Sequence, residues 1–159
     1  MKTLGAALLF GMSVAFAQDA SGAAQGTLEE ARALALRAAD FLRANGPEKA
    51  WAAFSTGAEF HDRDLYVTVL DRDCTVEAHG ASPLLVGKRL CGLQDIDGKP
   101  FIWEMSNIND RAWVDYKWQD PITKEVKPKT AYAVRVGDYV IGVGAYSDVP
   151  SSRRAMNGE

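Results

Sequence analysis

An ammonium group ringed by aromatic and hydroxyl side chains is a receptor for a small anion, and the stretch WVDYKWQDPITKEVKPKTAY, residues 113–132, carries the parts for one. Tyr116 and Trp118 precede a proline-containing turn, Lys129 follows it, and Tyr132 stands three positions further on. If Lys129 is enclosed its charge needs a partner, because an unpaired buried ammonium is costly. A bound carboxylate would supply that partner, with tyrosine hydroxyls adding hydrogen bonds. Tyr66 and His79 extend the set, since a hairpin between their segments would bring Tyr66, Thr68 and Leu70 against Thr75, Glu77 and His79. A ring nitrogen of His79 could donate to the guest, and the imidazole titrates near neutral pH unless its surroundings shift it. Trp103, in a later helical stretch, is a candidate lid residue. Each residue also has a plainer use: a lysine at a strand start can be solvated, and aromatic residues on a strand can simply be core.

Bond-making chemistry has no such support. The chain contains no G-x-S-x-G, no H-E-x-x-H and no phosphate-binding glycine loop. DIDGKP at 95–100 opens like a calcium loop, but the positions that need glycine and an acid hold Pro100 and Ser106. Neither His61 nor His79 has zinc-ligand spacing to a cysteine. The expectation is reversible binding, with no cofactor and no catalytic residue.

These residues sit on elements of two periodicities. TLEEARALALRAADFLRANG reads as a long amphipathic helix: Thr27 and Glu30 form a capping box, and Leu28, Ala31, Leu34, Ala35, Ala38, Phe41 and Leu42 form one stripe. Asn45-Gly46 breaks it and Pro47 restarts a helix through Trp51 and Phe54. From Leu65 onward, LYVTVL, TVEAH, WVDYKWQ, TAYAVRV and YVIGVGAY read as five strands. Helical stretches at 84–90 and 99–108 are inserted after the second, and Gly137-Asp138 turns the last two strands on each other. The class is α+β. Alternation puts Val114, Tyr116 and Trp118 on one face and Trp113, Asp115 and Lys117 on the other. It also separates Lys129 from Tyr132, so a bulge or a late strand start is needed for those two to cooperate.

Residues 1–17 have the plan of a secretory signal peptide: Lys2, an apolar stretch, and Ala15-Phe16-Ala17 at the cut. The division that follows is a leader at 18–26, one domain at 27–148 and a polar tail at 149–159. The formal net charge is −3, which excludes the basic surface that nucleic acid or anionic lipid requires. An exported chain with Cys74 and Cys91 invites a disulfide, which would contribute on the order of 3 kcal/mol.

The order of DLYVTVLDRDCTVEAHG, LVGK, DGKPF, the aromatic strand, the proline turn with its K..Y, and GVGAY resembles a single Cache domain of the second type, the extracellular sensor module of bacterial chemoreceptors and histidine kinases. The resemblance covers roughly residues 28–148. It implies a PAS-like five-stranded antiparallel sheet, the long helix on one face, and inserted helices closing a small-molecule pocket on the other. It further implies a small organic acid as ligand, and a glycine-favouring backbone at Cys74, where related domains often carry glycine. Receptors of that kind continue from the last strand into a membrane helix. Here a polar tail follows, so the expected role is an exported, periplasmic or secreted binding module that signals through a separate receptor. The alternative is a protein-interaction module with a vestigial pocket.

Overall fold

The computed structural model describes residues 25–147; the signal peptide expected at 1–17, most of the leader and the tail at 149–159 lie outside the described residues. The chain enters helix α1 (Leu28–Asn45) through the expected capping box, Thr27 accepting from the Glu30 amide and the Glu30 carboxylate accepting from the Thr27 amide. The buried stripe of α1 is mostly alanine, with Leu34 and Leu42, and small side chains let the helix lie close to the sheet. Gly46, at φ +77°, makes the break that lets α2 (Pro47–Thr56) fold back. Phe54 of α2 meets Phe60 edge to face, and Phe41 of α1 joins both rings.

The sheet is antiparallel. Its strands are β1 (His61–Asp62), β2 (Leu65–Leu70), β3 (Val76–His79), β4 (Arg111–Gln119), β5 (Val126–Val136) and β6 (Tyr139–Tyr146). The five longer strands run in the order β3-β2-β6-β5-β4, with the two-residue β1 paired to the start of β2. That is the PAS-like arrangement, extended by one minimal strand. Alternation then sorts the core into two layers. Val67, Val69, Tyr132, Val134, Ile141 and Val143 pack under α1, whereas Leu70, Val76, Val114, Ala131, Ala133 and Val140 pack on the other side with Phe101, Ile102 and Met105 of helix α3 (Phe101–Ser106).

The inserted segment is less helical than its sequence suggests. Residues 84–90 form a single 3-10 turn at Pro83–Leu85 followed by an extended strap, and α3 has six residues. The physical reason is pairing: Gly87 donates to Val76, Leu90 donates to Cys74, and Val76 donates to Lys88, so the strap's backbone groups are spent on the start of β3 and the residues just before it. Arg135 of β5 caps the far end of α3 by donating to the carbonyls of Ser106 and Ile108. No helix among the described residues is long and apolar enough to cross a membrane.

Candidate ligand-binding site

Lys129 enters the space between the sheet and the inserted segment and is only 2% exposed. It faces inward because β5 begins at Val126, which puts 129, 131 and 133 on the α3 face. Its stem crosses β6 over Gly144, where a Cβ would stand 2.4 Å from the lysine Cε. The ammonium then lies 3.9 Å from the centre of the Tyr66 ring and 4.3 Å from that of Tyr146. Such cation-π contacts recover part of the lost hydration, about 1–2 kcal/mol when desolvated. Among the described residues none of the ion pairs includes Lys129, and the buried Asp64 carboxylate feels its charge only from beyond that distance.

The hydroxyl accounting fixes the donors. Tyr146 accepts from Lys129 Nζ at 3.2 Å and donates its single proton to the Gln119 carbonyl at 2.7 Å. Its hydroxyl therefore has nothing left to donate, and in the 3.5 Å contact between the Tyr66 and Tyr146 hydroxyls Tyr66 must be the donor. At that length the contact is weak, so the Tyr66 proton is available to a guest. Burial pushes Tyr116 and Tyr146 upward, which keeps both phenols protonated.

A β-bulge sets the third wall. Pairing of β2 with β3 slips between Val69 and Leu70, so that Thr68 faces His79 while Leu70 faces Val76. His79 and Val76 have opposite parity, yet both line the cavity because Glu77 is the extra residue. The His79 Nδ1 accepts from the amides of Ala81 (3.2 Å) and Ser82 (2.9 Å), which places the ring proton on Nε2. Burial first, and the charge of Lys129 second, push the imidazole down to about 4. The ring is thus a neutral donor at neutral pH, and the titration near pH 7 expected from its type does not occur here.

Tyr66, His79, Tyr116, Trp118 and Lys129 line one cavity, with Phe101 stacked on Tyr116 at 4.2 Å and 4° and Leu85, Leu90 and Leu93 closing it from the inserted segment. Two expected members stand elsewhere. Tyr132 is on the α1 face, against Trp113 at 4.7 Å and below Arg32, because no bulge interrupts β5. Trp103 points away from the cavity and is 52% exposed, since a six-residue helix buries Phe101, Ile102 and Met105 instead. Tyr146, in contrast, was legible and missed: counting back from the Gly137-Asp138 turn puts it opposite Lys129. Cys74 and Cys91 are joined by a disulfide of 2.04 Å, which ties the β2–β3 turn to the end of the strap. Among the described residues no cluster of histidine, cysteine and carboxylate groups could hold a metal.

Solved structures that share this fold include three sensor domains. A methyl-accepting chemotaxis protein from Vibrio parahaemolyticus RIMD 2210633 superposes with a TM-score of 0.65 at 23% identity, covering 74% of this chain and 86% of that one. The periplasmic sensor domain of a chemotaxis protein gives 0.60 at 24% identity, over 76% and 90% of the two chains. A Cache chemosensory domain studied for its recognition of carboxylic acid gives 0.59 at 20%, over 76% and 88%. At these identities the likeness establishes the fold. No curated protein matches the chain significantly. The family model described as Single Cache domain 2 matches residues 13–156, nearly the whole sequence, and the chain is therefore a member of the single Cache domain 2 family of sensor domains.

Proposed function

We propose that this Cache domain is an exported sensor module that captures a small organic acid reversibly, with Lys129 as the counter-charge and Tyr66 and His79 as hydrogen-bond donors, and passes its occupancy to a separate partner protein. The observation that carries the reading is the ammonium of Lys129, enclosed among aromatic rings with no carboxylate in contact with it among the described residues. A bound carboxylate would complete the ion pair inside a low-dielectric chamber, where it is strongest. The carboxylic acid recognised by a Cache domain of the same fold supports the ligand class. The apolar stretch before Gln18 supports an extracytoplasmic setting.

A thermal-shift series of acetate, propionate and lactate against the matching amines tests it. At a hundred times its dissociation constant a ligand stabilises the fold by about 2.7 kcal/mol, which is a rise of several degrees for a domain of this size. Acids should raise the melting temperature, amines should not, and Lys129→Met should abolish the response while remaining folded. If no acid shifts the wild type, or if Lys129→Met responds equally, the reading fails.

A further inference from the structure

The space enclosed beside Lys129 is about 30 Å³, which holds one or two waters or the carboxylate end of a ligand, but not a chain attached to it. Two larger hollows adjoin it. One, of about 240 Å³, reaches Lys129 past Tyr116 and is lined by Asp95, Asp97 and Asp115 together with Lys99 and Lys117. Lys99 and Lys117 are committed to Glu104 and Asp97 at 3.0 and 2.8 Å, so beyond Lys129 itself this lining offers an incoming anion three carboxylates and no unspent cation. The other hollow, of about 250 Å³, shares Tyr66, His79, Leu85 and Trp118 with the inner chamber and is lined beyond them by Ser82, Gln119 and Lys124, with no acidic residue.

Resting on the carboxylate reading of the inner chamber, we propose that this second hollow is the outer half of the ligand site and holds the chain of an elongated monocarboxylate. The carboxylate sits at Lys129, the first methylenes pass between Trp118 and Leu85, and the far end lies between the loop 81–85 and the β4–β5 turn. His79 stands at the junction. Its Nδ1 holds the amides of Ala81 and Ser82, so the same ring that lines the inner chamber sets the position of one wall of the outer one. The β4–β5 turn is held with equal firmness: Asp120, wholly buried, accepts from the amides of Ile122 and Thr123. Both walls are thus built before a ligand arrives, and the outer hollow is a formed site.

Calorimetric titration of the whole protein with acetate, butyrate and hexanoate decides it, repeated on Ser82→Trp, which fills the outer hollow. Each methylene leaving water is worth about fourfold in affinity, so hexanoate should bind the wild type about tenfold or more tighter than acetate, and that ratio should collapse in Ser82→Trp. Acetate binding with butyrate and hexanoate weaker, or a ratio unchanged in Ser82→Trp, would overturn the outer site and leave the carboxylate reading intact. Failure of all three acids to bind would overturn both.

Discussion

Gly144 and Lys129 make a single device. Gly142 and Gly144 share a face of β6, but close approach explains only Gly144, where the lysine stem occupies the space of a Cβ; a Cβ at Gly142 would meet the Met105 sulfur at 3.5 Å, an ordinary contact. In Gly144→Ala the new methyl would overlap the lysine Cε in a chamber where Tyr66 and Tyr146 leave the ammonium little room to retreat. The expected outcome is a loss of about 1–3 kcal/mol of stability together with loss of the acid-dependent thermal shift, read by denaturant unfolding and by melting with and without acetate. Tyr146→Phe is the finer probe. It removes the acceptor for Lys129 and leaves the Gln119 carbonyl without its donor, and should cost about 1–2 kcal/mol while weakening acid binding by less than Lys129→Met does. Equal acetate affinity in Tyr146→Phe and wild type would remove Tyr146 from the site.

The inserted strap is held at two points, by His79 near its start and by the Cys74–Cys91 disulfide at its end. Cys74 has φ +60°, the left-handed conformation that favours glycine. A side chain with Cβ is strained there by roughly 1–2 kcal/mol, and the disulfide offsets this by closing a loop worth about 3 kcal/mol. Two double variants separate the effects. Cys74→Gly with Cys91→Ser loses the cross-link and relieves the backbone, whereas Cys74→Ala with Cys91→Ser loses the cross-link only. The first should be the more stable by about 1 kcal/mol in chemical denaturation, and both should show faster amide exchange at 84–93 than the oxidised wild type. The edge strand β4 is managed differently: the Lys117 amide, which would otherwise face solvent, donates to Asp95, the first acid of the stretch that opens like a calcium loop. Asp95 is a turn residue, also accepting from the amides of Asp97 and Lys99.

For the whole molecule, the buried imidazole links fold to pH. The folded state holds His79 down near 4, against 6.5 for the free side chain, so between those values the unfolded chain binds a proton that the folded one refuses. Stability from this group is complete above about pH 6.5 and is lost as the pH falls toward 4, on the order of 3 kcal/mol across the window. His79→Asn, which keeps a side-chain acceptor for the Ser82 amide without a titrating ring, should flatten the unfolding free energy between pH 6.5 and 4.5; a slope equal to that of wild type would assign the effect elsewhere. Protonation would also take Nδ1 from the strap amides, so acid should loosen the lid as it weakens the fold. Asp64 works in the opposite sense, since burial pushes its carboxyl upward. It anchors the start of α1 by accepting from the Gly26 amide, while Asp120 receives the Gln25 side chain.

Local order was legible wherever one element's own chemistry decided it. The capping box, the alanine stripe, the break at Gly46 and the alternation that sends Tyr116 and Trp118 to one face are properties of neighbouring residues, and the sequence alone determined them. So was the separation of Lys129 from Tyr132, since side-chain direction in an unbroken strand repeats every two residues. What tertiary structure decided was enclosure. The bulge at Glu77 turns His79 inward, and the strap takes its conformation from pairing with β3 rather than from its own helical pattern. Pairing partners and burial are set by the competition of distant segments for the same backbone groups and the same apolar surface, and a chain read one residue after another does not contain the outcome of that competition.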